Sequence, residues 1–365
     1  MVRATDLTGR FSSSEFLKAV IACDSSASVK ELLRQLPIVG ENEYLFSAAH
    51  PDNGWREGYL HWFPVGRDRG NAGRIKLAGS PENPLAERIV NGIEALIELE
   101  RQLELKKDPR QHPPTSPRDA VQRYLEVPPL DELPGWDRPI RGEKAQDYVR
   151  NIAERIKLRL LRSKRPVEYT VLIEDDGIGQ LPSMMHQTLL SLGSSDKPDK
   201  PYLIGVFGQG GSSTYAASEF SWIVSRRHNE LLGNSSDGIG WTIVKHIYPV
   251  GRRDDYFAYL AAHPDGRVPL FPSKLGSDIG LTNGTRIAHV NYNFGRSEPA
   301  RELYQALNHL LFNPVLPYEL YTRPAPARPD PMWGNGYRLS RLAEAKKDLD
   351  KRFDPQEVQR RGDPE

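Results

Sequence analysis

The chain has one cysteine, Cys23, among 365 residues. An internal disulfide is therefore excluded, and the usage fits a reducing compartment, so a cytoplasmic location is expected. No apolar run approaches the roughly 20 residues needed to cross a bilayer. Residues Met1 to Asp6 lack the apolar core of a signal peptide, so no membrane partner is expected. Charge of either sign is not in excess: 49 basic residues stand against 48 acidic ones, for a net charge of +1. There is no bulk pull towards nucleic acid, although the small basic clusters Arg226-Arg227-His228 and Gly251-Arg252-Arg253 leave a local phosphate contact open. No two histidines sit at i and i+4, which speaks against a zinc helix, and no Gly-x-Ser-x-Gly elbow exists.

What is present is a globular composition, 38% hydrophobic and 27% charged, with 30 proline and 30 glycine residues that call for many turns. Ser12 with Glu15 and Ser28 with Glu31 have capping-box spacing and predict two short opening helices. Glu43–Ser47 and Gly58–Phe63 read as strands. Asn83 and Pro84 start a helix that the apolar spacing carries to about Leu105. Residues 106 to 140 are Pro-rich and read as an insertion with a short helix near Ala120–Leu125. A helix is expected from Glu143 to Leu161, a buried strand at Tyr169–Glu174, and a helix at Ser183–Leu192. A helix after Gly210 and a strand at Phe220–Val224 follow. Strands at Trp241–Tyr248, Tyr256–Leu260 and Thr285–Val290 alternate like an antiparallel sheet, and Glu298–Phe312 reads as a helix. The expected class is α/β in the α+β sense. Residues 1–40 form a helical segment, 41–322 the main domain with an insertion at about 106–165, and 323–365 a charged, Pro-rich tail.

Three short runs carry chemistry. On the helix from Asn83, residues Glu87, Asn91 and Glu94 share one face by helical periodicity. An Asn amide is a hard neutral ligand suited to Mg²⁺, and a Glu one turn earlier can orient and deprotonate an attacking water. Taken alone, the same face reads first as a solvated polar one. In Asp175-Asp176-Gly177-Ile178-Gly179, a carboxylate at a strand's end can accept from an adenine amine. Gly177 and Gly179 permit positive φ beside the base. In Gly205-Val206-Phe207-Gly208-Gln209-Gly210-Gly211, backbone N–H groups entering a helix can meet phosphate oxygens. No Lys precedes the following Ser212, so this is not a Walker loop.

Together, in this order and followed by Gly284-Thr285-Arg286-Ile287, these runs resemble the GHKL superfamily of ATPases: DNA gyrase, heat-shock chaperones, histidine kinases and MutL, with the Morc proteins near them. The resemblance spans roughly Glu43 to Phe312. It implies a Bergerat fold, a two-layer sandwich in which a mixed, mostly antiparallel sheet is covered by helices on one face. It further implies ATP and Mg²⁺ as ligands. Glu87 is similar to the general base of the superfamily and Asn91 to its Mg²⁺ ligand. Asp175, Gly177 and Gly179 stand for the adenine site, Gly205, Gly208, Gly210 and Gly211 for the phosphate turn, and Thr285 for the support of the adenine-reading Asp. Lys197 falls where several relatives have a lid lysine, and the lid itself would run from about Ser191 to Tyr202. Glu94 departs from the Asp of many relatives. No second domain with a γ-phosphate lysine is evident. The implied function is a nucleotide-driven conformational switch acting as a homodimer or with a partner protein. A non-hydrolysing nucleotide sensor and a histidine-kinase-type phosphotransferase remain the alternatives.

Overall fold

The computed structural model describes residues 13–36, 38, 60–77, 79–128, 150–162, 168–192, 199–204, 210–248, 255–262, 266–322 and 331–332. The expected strand at Glu43–Ser47 lies outside them. Five α-helices lie wholly within the described residues: α1 (Ser13–Ile21), α2 (Ser26–Arg34), α3 (Asn83–Lys107), α4 (Pro117–Leu125) and α5 (Ala300–Leu310). The strands are β1 (His61–Pro64), β2 (Ile156–Arg162), β3 (Tyr169–Asp175), β4 (Phe220–Arg226), β5 (Gly238–Ile247), β6 (Tyr256–Ala261), β7 (Leu270–Pro272), β8 (Gly284–Val290), β9 (Tyr318–Tyr321) and β10 (Pro331–Met332). They form one sheet in the order β1-β6-β5-β4-β8-β3-β2-β9-β10, with β7 alongside β5. Every pairing is antiparallel except β2 with β9, so the sheet is mixed and mostly antiparallel as expected.

Local chemistry explains the long helix. Pro84 occupies the first turn of α3, where its missing N–H costs nothing, and Lys106 and Lys107 sit in the last turn, where the helix dipole favours cations. Leu85, Ile89, Ile93, Leu96 and Ile97 form its fully buried stripe. That stripe packs with Val171 and Ile173 of β3, Ile156 and Leu158 of β2, Ala120 and Val121 of α4, and Leu303 and Leu307 of α5.

The other sheet face is also covered, which corrects the expectation of helices on one side only. The strand register puts Trp222 beside Ala288 and Ile243 on that second face. Phe16, Leu17 and Val20 of α1 and Val29 and Leu32 of α2 are buried in the same cluster as these residues. Phe16 meets the Trp241 ring edge-on at 5.3 Å, and the Trp222 indole N–H donates to the Cys23 carbonyl at 2.8 Å. The face is too apolar to be left in water, and the two opening helices are what cover it. Ser28 is not the cap of α2; it is the third helical residue of a capping box whose cap is Ser25.

Three further expectations are corrected. Residues 156–162, read as the end of a helix, form β2, because Ile-Lys-Leu-Arg-Leu buries every second side chain. The sheet therefore runs through the region assigned to the insertion, and α4 packs in the core beside it. Ser183–Leu192 is a run of turns rather than a helix. After Gly210 the helix is of the tighter 3-10 kind and ends at Ala217.

Candidate functional site

The site is built where β3, β8 and β4 end beneath α3. Register places Asp175 opposite Thr285, and Thr285 opposite Ser225, so three polar side chains form one row on the face that α3 covers. Ser225 Oγ donates to the Gly284 carbonyl at 3.0 Å, lies 2.9 Å from Thr285 Oγ1, and accepts from the Gln180 N–H at 3.0 Å. Asp175 Oδ1 accepts from the Gly177 N–H at 3.0 Å.

The turn after Asp175 is clamped. A Cβ on Gly177 would stand 2.6 Å from the Ala95 backbone of α3, and the Ile178 N–H donates to the Ala95 carbonyl at 2.9 Å. Gly179 has φ +63°, and a Cβ there would come within 1.8 Å of the Arg226 carbonyl oxygen. Positive φ is thus found at Gly179 but not at Gly177, whose glycine answers to close packing under the helix instead.

From above, α3 brings its own residues to the same place. A Cβ on Gly92 would lie 3.5 Å from Asp175 Cβ. A Cβ on Gly211 would lie 3.2 Å from Asn91 Nδ2 and 3.1 Å from Arg88 Nη1. Asn91 is half-buried and Glu87, one turn earlier, is exposed. Thr214 Oγ1 donates to the Gly211 carbonyl at 2.6 Å and accepts from Arg88 Nη2 at 3.1 Å, which fixes the start of the 3-10 helix against α3. Glu94 is buried, and its Oε1 accepts from the Ile204 N–H at 2.9 Å. It therefore ties α3 to the segment that leads into the glycine turn. The structure thus brings Asp175, with Thr285 paired beside it, and Gly211 to the N-terminal half of α3 at Asn91 and Gly92. Lys197, Gly205 and Gly208 lie outside the described residues.

Burial pushes the Asp175 carboxyl up to about 7, with the neighbouring Asp176 charge adding to the rise. The Gly177 and Thr285 backbone groups bonded to it oppose that rise. Asp175 is a carboxylate poised to change protonation near neutrality. Behind the site, His289 is held well below its ordinary value by burial and by the Arg88 charge.

Among the described residues no group of three His, Cys, Asp or Glu side chains is placed to hold a metal ion. A single amide such as Asn91 suits Mg²⁺, which fills its other positions with water and phosphate oxygens.

Arg88, Gly92 and Ser225 were not singled out from sequence. Gly92 carries a usable signal, since a glycine inside a helix costs about 1 kcal/mol and needs a packing reason. Arg88 does too, as a charge set between the apolar Leu85 and Ile89. Ser225 has no such signal; its role follows from strand register alone.

No protein-family model matches the chain. A guanylate kinase of Synechococcus sp. (strain CC9311) is 30% identical over 119 residues. The match covers 30% of this chain and 55% of the kinase, so the chain spans about half the length of the curated relative it resembles. Among the described residues no helix is long and apolar enough to cross a membrane.

Proposed function

We propose that this chain binds Mg²⁺-ATP between α3 and the tips of β3 and β8, and hydrolyses it as a GHKL-type conformational switch. The observation that carries the proposal is the convergence on one corner of Asn91, Gly92, Asp175 and Gly211, which come from three separate stretches of sequence. Asp175 would accept from the adenine amine at one end. Asn91 would hold the metal at the other, beside the backbone of Gly210 and Gly211. Glu87 is open to solvent, one helical turn from Asn91, where it can orient a water towards the γ-phosphate. When bound, Mg²⁺ would offset phosphate charge there. The sheet with α3, α4 and α5 on one face supports a Bergerat arrangement, to which α1 and α2 add a third layer. The proposal includes a cytoplasmic protein that works as a homodimer or with a partner chain; residues 193–198 of the expected 191–202 lid lie outside the described residues.

The guanylate kinase likeness favours a second reading, phosphoryl transfer between nucleotides. It shares nucleotide binding with the first. Against it, the sequence contains no Gly-Lys pair, so the lysine of a P-loop is missing.

One assay separates them. With ATP and Mg²⁺, the chain should release phosphate slowly. Glu87→Gln should bind ATP as the wild type does and release none. Formation of GDP from GMP and ATP, with no phosphate release, would establish the kinase reading instead. ATP binding without either product would leave a nucleotide sensor.

A further inference from the structure

A side chain on the approach to β8 holds the turn after β3. Asn283 precedes Gly284, the first residue of β8. Its Nδ2 donates to the Asp176 carbonyl at 2.7 Å and to the Gly177 carbonyl at 2.8 Å. Its Oδ1 accepts from Thr282 Oγ1 at 3.3 Å. The reverse amide orientation would set an oxygen against two carbonyl oxygens, so the donor end is fixed. Gly284, at φ +96°, lets the strand tip come this close: a Cβ there would lie 2.0 Å from the Asp175 carbonyl oxygen and 2.7 Å from Asp176 Cα. Asn283 itself does not take positive φ. A left-handed turn therefore does not account for the asparagine, and its two side-chain bonds do.

The neighbouring carbonyls are taken as well. Ile178 O accepts from the His228 N–H at 3.0 Å, and Gly179 O accepts from Arg227 Nη1 at 3.2 Å. The successive carbonyls of residues 176 to 179 are thus satisfied within the chain, two of them by Asn283. The turn has its shape before a ligand arrives, so a ligand is spared the cost of ordering it. That shape reaches the candidate site through Gly177. Its carbonyl is held by Asn283, and its N–H donates to Asp175 Oδ1 at 3.0 Å.

We propose that Asn283 is a positioning residue of the base site, its amide clamping the 176–179 turn so that the Asp175 carboxyl is presented to the base of a nucleotide. The claim rests on the nucleotide reading of the site and adds a division of labour to it. Affinity for the base end of the ligand depends on Asn283, and affinity for the phosphate end does not.

The test combines hydrogen exchange with calorimetric titration of the full chain by ATP, adenosine and inorganic tripolyphosphate, on wild type, Asn283→Ala and Asn283→Asp. Asn283→Asp keeps the shape of the side chain and an acceptor for Thr282 but has no donor. It serves alone if the Ala variant does not fold. Two neutral hydrogen bonds correspond to roughly a ten- to hundred-fold change in an equilibrium constant. Both variants should weaken ATP and adenosine by up to about that factor and leave tripolyphosphate unchanged. Amide exchange at Gly177 and Ile178 should quicken while Val171 and Ile173 of β3 keep their wild-type rates. Wild-type affinity for ATP and adenosine in both variants would overturn the proposal. So would equal losses for adenosine and tripolyphosphate, or exchange that quickens throughout β3, since either makes Asn283 a general contact of the fold. If the wild type binds neither ATP nor adenosine, the nucleotide reading itself fails and the proposal falls with it.

Discussion

Gly92 and Asp175 touch: the α-carbon of a helix residue faces the β-carbon of a strand-end carboxylate, with room for 3.5 Å between Asp175 Cβ and a Cβ on Gly92. The same added Cβ would stand 3.3 Å from Ile156 Cγ2. The helix can approach the strand tip this closely because residue 92 has no side chain. Gly92→Val should force α3 away from β2 and β3, lowering stability by about 1–3 kcal/mol through overpacking. ATP affinity should fall with it. Gly92→Ala is the control: a helix-propensity gain of about 1 kcal/mol opposes the tight contact, so it should be near neutral. Urea denaturation of the variants checks both.

Asp175 should make stability depend on pH. In the unfolded chain its carboxyl titrates near 3.8, and in the folded chain near 7. Between these values the folded protein holds a proton that the unfolded chain has lost. The resulting stabilisation is present in full below the unfolded value and disappears as pH rises through the folded one. Asp175→Asn cannot ionise, so it should be more stable relative to the wild type above neutrality, while losing ATP affinity. Denaturation midpoints across the pH range, for both proteins, measure the effect.

Glu94 should matter for the glycine turn more than for the metal. Its side chain is buried on the Ile204 N–H, just ahead of the glycine run. Glu94→Ala should cost about 0.5–1.5 kcal/mol, the value of the lost bond, because Ile204 is exposed and water can meet its N–H. Hydrogen exchange should speed up at residue 204 before it does at the β3 backbone.

Phe16→Ala tests the second layer. Phe16 packs against both Trp241 and Phe271, at ring separations of 5.3 and 5.8 Å. Removing the ring should cost about 3–5 kcal/mol, the range for a buried Phe. A thermal shift near zero would mean that α1 is not part of the core.

Much of this was legible from residue pattern. The polar face of α3 reads from 3.6-residue spacing, and β3, β5, β6 and β8 read from β-branched and aromatic runs bounded by turn residues. Other parts were hidden for physical reasons. Leu, Lys and Arg are good helix formers, so Ile156–Arg162 imitates a helix until its neighbours β3 and β9 demand a period of two. The covering of Trp222 and Trp241 by α1 and α2 is a tertiary fact that no local window contains. At the site, Asn91 and Asp175 were readable as residue types. The closeness of Gly92 to Asp175, and of Arg88 to Gly211, depends on how α3 lies across the sheet. The glycine of Asp175-Asp176-Gly177 was legible as a requirement, but its cause is packing on Ala95 rather than backbone angle.

The most direct test is isothermal titration of Mg²⁺-ATP into the wild type, Asn91→Ala and Asp175→Asn, each verified as folded. The expected result is one saturable site per wild-type chain, strongly weakened in both variants, with magnesium dependence lost in Asn91→Ala. A wild type that takes up no ATP, or two variants that take it up unchanged, would contradict a shared nucleotide site at the meeting of α3 and β3.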